Sequence, residues 1–231
     1  ITKRPVMTLP YGSTRYSCFD FVYQAVQEIE PDFFSDLNEA SAFLTDHIWT
    51  AIEGTVIAAR QTMDWLQDLA GRMADKNLPV WWVSPIGFPV YQSNKKTSSK
   101  RVRSILLGDI HLSMTMDTET ISPQRQKQGI APNFVHSLDS AHMMFTTNRS
   151  REEGIKSFAM IHDDFGTHAG NVELFRHIIK QTFVTMYKDN EPLHDLYVSC
   201  ALILETGDLP PVPNYGQLDL NNILESEYFF A

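Results

Sequence analysis

The chain has 231 residues and a formal net charge of −9, with 43% hydrophobic and 20% charged residues. That is ordinary globular composition, enough for one sizeable core or two small ones. It contains no run of about 18 apolar residues that would span a membrane. The acidic balance argues against nucleic-acid binding over the whole surface, yet Lys95, Lys96, Lys100, Arg101 and Arg103 form a basic strip within nine residues.

The first string is "KRPVMTLPYG", residues 3 to 12. On a helix, Lys3, Met7 and Tyr11 share one face, so a cation and a phenol line one groove. Pro5 is tolerated only in a first turn, and Pro10 predicts a kink or helix end just before Tyr11. From Thr14 to Glu30, Phe19, Val22, Val26 and Ile29 recur at helical spacing, and Pro31 ends the segment. Ser35 or Asp36 caps the next helical stretch. Its stripe runs through Phe43, Leu44, Ile48, Ile52, Ile57, Met63, Leu66 and Leu69, with Gly54 as the expected interruption and Asn77-Leu-Pro79 as its close.

"VWWVSPIGFPVYQ", residues 80 to 92, reads as a β-hairpin around Ser-Pro-Ile-Gly. After the basic strip, Ile110, Leu112, Met114 and Met116 alternate with polar residues, which predicts a strand with one face covered. The polar stretch through "TISPQRQKQG" reads as an exposed second hairpin or long loop. Pro132 is expected in the first turn of a helix whose face includes Phe134, Leu138, Ala141 and Phe145.

"SFAMIHDDFGTHA", residues 157 to 169, reads as two short strands around Asp163-Asp164. Asn171 caps a helix that turns Leu174, Ile178 and Phe183 inward, Pro192 begins another, and Gly207 ends it. The tail "LPPVPNYG" is extended. Helices dominate, with hairpins between them and no βαβ rhythm, so the fold class is α+β and helix-rich. The two cysteines, Cys18 and Cys200, lack metal-ligand spacing and read as reduced core thiols of an intracellular protein.

No glycine-rich phosphate loop and no His-Glu-x-x-His is present. Two strings carry chemistry. A lysine on the opening helix suits a polyphosphate, because its compact charge offsets developing negative charge. A carboxylate on the rigid turn at His162-Asp163-Asp164-Phe165 suits a hard divalent ion such as magnesium. Neighbouring side chains in extended geometry diverge, so a second metal ligand must come from elsewhere. Each string also has an ordinary explanation: an exposed helix with incidental charge, and a turn in which Asp bonds to nearby backbone.

Taken together, "KRPVMTLPYGS", "GIAPNFVHSLD" (129 to 139), "SFAMIHDDFGTHA" and "LNNILESEYFFA" resemble, in order, landmarks of the bacteriophage-type single-subunit RNA polymerases, the family shared with mitochondrial transcription. The resemblance implies the fingers and palm portion of a right-hand polymerase over residues 1–231. Residues 1–80 would form mainly helical fingers, 110–128 a promoter-recognition hairpin, and 157–169 the palm catalytic hairpin. Lys3 would contact the nucleotide triphosphate, with Arg4 beside it. Tyr11 and His136 would sit by the sugar and select ribose, and Gly12 would let the template approach. Asp163 would bind two magnesium ions, and His162 would orient the turn. Phe230 and Ala231 would pack near the site. Arg125, Gln126 and Lys127 would reach DNA bases or phosphates.

The implied partners are a DNA template and promoter, the RNA product, ribonucleoside triphosphates and the N-terminal part of the polymerase, with no membrane. The implied location is the cytoplasm of an infected bacterial host, with a mitochondrion as the second setting. The chain opens at Ile1 inside a motif, which reads as the C-terminal piece of a longer protein. The family's first catalytic aspartate and the arginine that begins the fingers motif would lie upstream. Asp164 stands where many relatives carry a small hydroxyl residue. The rival readings are a family A DNA polymerase fragment and a non-catalytic docking subunit of a split polymerase.

Overall fold

The computed structural model describes residues 1–29, 34–104, 110–161, 164–204 and 208–229, without the side chains of residues 103, 104, 110 and 111. The chain opens with α1 (Lys3–Thr8), a 3₁₀ turn (Leu9–Tyr11) and α2 (Arg15–Ile29). These are followed by α3 (Leu37–Thr55) and α4 (Ile57–Asp75). Strands β1 (Val80–Val83) and β2 (Pro89–Gln92) form one antiparallel hairpin, and β3 (Lys95–Ser104) and β4 (Ile110–Ile121) a second. Then come α5 (Pro123–Glu152), the hairpin of β5 (Ala159–Ile161) and β6 (Asp164–Gly166), α6 (Val172–Asp189), α7 (Pro192–Leu204) and α8 (Asn222–Glu225). The class is α+β and helix-rich, as expected. No helix among the described residues is long and apolar enough to cross a membrane.

The main core is where α4 meets α5. Leu66, Leu69 and Met73 face Ile130, Phe134 and Leu138, with Trp82 of β1 and Leu196, Cys200 and Leu204 of α7 closing around them. The polar atom of each buried indole is satisfied: Trp82 Nε1 donates to Ser137 Oγ at 2.9 Å and Trp65 Nε1 to the Pro210 carbonyl at 3.0 Å. Burial pushes the Cys200 thiol up to about 12, so this side chain packs as a small hydrophobe. Cys18 is buried as well, beside Val22 and Val26 at the α2–α3 contact.

Local chemistry sets the helix ends. The Asp36 carboxylate accepts from the Asn38 and Glu39 amides and starts α3. The break between α3 and α4 falls at Val56, not at Gly54. Phe43 and Ile57 lie outside the buried stripe, 63% and 53% exposed. At the end of α4, Asn77 adopts φ +57°, while Leu78 N–H bonds to the Met73 carbonyl and Asn77 N–H to that of Ala74. This six-to-one and five-to-two pair is a Schellman closure, normally built on glycine. Asparagine serves here because its Oδ1 also accepts from Ile121 N–H at 2.7 Å, pinning the end of β4.

Further expectations are corrected. The stretch after β4 is not a loop: Ser122 caps α5 and Pro123 takes its first turn, so Arg125, Gln126 and Lys127 are helical. Pro132, expected at a helix start, lies inside α5, where it leaves the Gln128 carbonyl without its backbone donor. The apolar side chains along the middle of β4 are not covered; Leu112, Met114 and Met116 are about half exposed. The long hairpin therefore spans β3 and β4, residues 95 to 121, and the basic strip is its first strand. In α6 Ile178 is buried as expected, but Phe175 takes the buried place expected of Leu174, which is exposed. The expected helix end at Gly207 lies outside the described residues, as does Pro31.

Gln126 is fully buried and holds this hairpin's base. Its Nε2 donates to the Gln92 carbonyl at 2.8 Å and its Oε1 accepts from Asn94 N–H at 2.9 Å. Gln92 Nε2 returns a bond to the Gln126 carbonyl at 2.9 Å. Replacing Gln126 by Ala leaves a buried carbonyl and an amide unpaired. The expected cost is about 2 kcal/mol, read as a lower urea midpoint with an unchanged slope.

Candidate functional site

The opening string folds as its prolines require. Pro5 sits in the first turn of α1, and Pro10 sits in the 3₁₀ turn that follows it. Leu9 is the anchor, 1% exposed. Gly12 closes the turn at φ +85°, a conformation that costs a side-chain-bearing residue strain, and its N–H bonds to the Leu9 carbonyl. With Leu9 driven inward, Lys3, Met7 and Tyr11 are left exposed.

Tyr11 meets His136 of α5. Their ring centroids are 5.1 Å apart and the planes 29° from parallel, a stacked pair between strings from opposite halves of the sequence. Both residues are exposed. Arg4 is exposed; its guanidinium lies over the Phe21 ring at 5.5 Å and donates to Gln24 Oε1 at 3.3 Å, tying α1 to α2.

The β5–β6 hairpin forms where expected, with Ala159 opposite Gly166, Met160 opposite Phe165 and Ile161 opposite Asp164. Asp164 is exposed at its tip; His162 and Asp163 lie outside the described residues, as do Phe230 and Ala231. Gly166 is required by close packing. A Cβ there would stand 2.9 Å from the Ala159 carbonyl oxygen of the partner strand. Phe158, Met160, Phe165 and Phe229 pack on Ile155, Phe175, Ile178 and Ile179 and seat the hairpin. Among the described residues no three His, Cys, Asp or Glu side chains gather to hold a metal. The exposed Asp164 carboxylate at the hairpin tip is a hard oxygen donor of the kind a divalent ion takes.

α5 bears on both places. His136 touches Tyr11, and His142, about 9 Å further along the axis, packs its ring 5.5 Å from that of Phe165. Thr147, on the same helix, donates to the sulfur of Met160 at 3.2 Å. His142 is buried, and its Nε2 lies 2.9 Å from the Ile179 carbonyl, to which it donates as N–H. It went unnoticed in the sequence, although position 142 is four residues past Leu138, on the stripe that faces the core.

Of the residues expected to meet DNA, Gln126 is consumed by the hairpin base and corrected to a structural role. Arg125 donates to the Lys95 carbonyl at 3.3 Å and also braces that base. Lys127 is exposed, with the Cε–Nζ end of its side chain lying across Gly71. The longer polar face is on the hairpin itself, where Thr97, Ser99 and Arg101 stand opposite Asp117, Thr115 and Ser113.

One long helix, α5, thus carries both the stacked Tyr11–His136 pair and the seat of the short acidic hairpin. A family model of DNA-dependent RNA polymerase matches residues 1–202, and the chain belongs to that family. It is 36% identical to the DNA-directed RNA polymerase of Enterobacteria phage T3 and 35% identical to T7 RNA polymerase of Escherichia phage T7. It is also 36% identical to DNA-directed RNA polymerase 1, mitochondrial, of Nicotiana sylvestris. All of this chain is covered in each case, but it spans only 29%, 29% and 23% of those proteins.

Burial holds the His142 imidazole below its ordinary value of 6.5, and the bond to Ile179 only partly offsets this. The folded state therefore binds this proton less readily than the unfolded state. Stability from this residue is full above about pH 6.5 and falls as the pH drops below it, toward the folded-state value. The urea midpoint of the wild-type chain should fall between pH 7.5 and 5.5, and His142→Gln should show a smaller fall.

Proposed function

We propose that the chain is the C-terminal fingers and palm portion of a DNA-directed RNA polymerase. In the intact enzyme the RNA 3′-hydroxyl attacks the α-phosphate of a ribonucleoside triphosphate and pyrophosphate leaves. The observation that carries this reading is the stacking of Tyr11 on His136, two residues the family resemblance assigns to the same sugar. The curated relatives are named as RNA polymerases, which favours this reading over a DNA polymerase.

Lys3 is exposed at the start of α1, and its ammonium is free to meet the triphosphate and offset the charge that builds up there. Tyr11 and His136 present a hydroxyl and an imidazole to the sugar, so a substrate lacking its 2′-hydroxyl would leave a polar group unpaired. Gly12, without a side chain, leaves room for the template strand. Arg4 acts by holding α1 on α2. Asp163, with a carboxylate from outside these residues, would hold magnesium, which supplies charge neutralisation to the phosphoryl oxygens when bound. His162 would orient the turn, and Phe230 and Ala231 would lie close by.

The long hairpin would read the promoter. Its polar face through Ser99, Arg101, Ser113 and Thr115 is better placed for this than the buried Gln126, with Lys127 left for a phosphate. The partners would be template and promoter DNA, RNA product and the rest of the polymerase. The setting would be the cytoplasm of an infected bacterial host.

In a full-length polymerase carrying this chain, Tyr11→Phe removes one hydroxyl from the sugar site. Discrimination between ribo- and deoxyribonucleotides, measured as the ratio of kcat/KM values, should fall about tenfold. An unchanged ratio would remove the role given to Tyr11. The 231-residue chain alone, supplied with template, nucleotides and magnesium, should make no transcript, because the first catalytic aspartate is not among its residues. Any template-dependent product would contradict this.

A further inference from the structure

The β3–β4 hairpin has two chemically different faces. Cross-strand pairs share a face. Ser98, Lys100 and Val102 stand with Met116, Met114 and Leu112 on one face; Thr97, Ser99 and Arg101 stand with Asp117, Thr115 and Ser113 on the other. The apolar side chains of the first face are bare: Val102 is 36% exposed, Leu112 45%, Met114 53% and Met116 54%. Among the described elements, each of these strands packs substantially only on the other. A two-stranded ribbon is marginal alone and needs a covered face. Its base is nevertheless fixed, through Asn77, Gln126 and Arg125, so the ribbon is held as an arm.

We infer that this apolar face docks on the polymerase polypeptide outside these 231 residues, against an apolar surface that carries an Asp or Glu opposite Lys100. The inference rests on the polymerase reading above. The relatives named above are more than three times the length of this chain, so ample polypeptide exists to cover the face. Nucleic acid is a poor occupant, because the face offers one cation and four apolar side chains where phosphates demand positive charge. A second copy is a poor occupant too. The described side chains of this face include no carboxylate, so self-association would bury two unpaired ammonium groups. A partner with its own carboxylate removes that penalty.

The test uses the full-length polymerase with a benzophenone side chain at Met114, and separately at Ser113 on the opposite face. On irradiation, the probe at position 114 should crosslink within the same polypeptide, to a peptide outside these 231 residues that lies beside an acidic residue. The probe at 113 should not. The crosslink should be lost with Lys100→Glu and kept with Lys100→Met. A crosslink from position 114 to DNA, a crosslinked dimer, or no crosslink overturns the inference. Peptide mapping needs no activity, so transcription by the same preparation judges the polymerase reading separately.

Discussion

The packing of α5 on α4 is the constraint from which the rest of the molecule follows. Leu66, Leu69 and Met73 against Ile130, Phe134 and Leu138 are almost wholly out of water, and each such side chain contributes about 1.5–3 kcal/mol by burial. Because this contact fixes α5 along much of its length, everything attached to that helix inherits a position. Its first turn grips the base of the long hairpin through Gln126, its middle offers His136 to Tyr11, and its second half backs the acidic hairpin through His142 and Thr147.

Two parts of the candidate site are thus aligned by one rigid element rather than by loops. The Tyr11 turn reaches α5 because Leu9 is buried, and the β5–β6 hairpin is held because Met160 and Phe165 pack, partly buried, on the Ile155, Phe175, Ile178 and Ile179 cluster. Neither depends on a bond to the functional group itself. Lys3, Tyr11, His136 and Asp164 are all left exposed by this arrangement, and Tyr11 and His136 are stacked on each other. Arg4, a cation in the same string as Lys3, joins two helices.

Much of the element order was legible in advance. Helix α2 with Val22 and Val26 inward, the Asp36 cap, the two short hairpins and the helix from Pro192 all follow from local spacing and turn chemistry, whereas Ile29 of the expected α2 stripe is exposed. Misreadings cluster where a distant partner decides. "SPQRQKQG" is polar enough to read as a loop, and it becomes a helix because Ser122 caps it and Gln126 finds two backbone partners across the hairpin base. Pro132 reads as a helix start but is carried inside one, because Ile130, Ala131 and Phe134 around it are locked into the core.

By itself the sequence determined the family and most element types, because these depend on residue identity and on neighbours within a turn or two. Only the tertiary structure decided which polar residues are free to act. Arg125, Gln126 and Lys127 are adjacent and chemically alike in sequence, yet one braces a strand, one is buried and one reaches solvent. The same holds for His136 and His142, six positions apart on one helix: 3.6 residues per turn sends one ring outward to Tyr11 and the other into the core. Orientation about a helix axis relative to a packed neighbour is a three-dimensional quantity, and burial acts on it through contacts that no local pattern records.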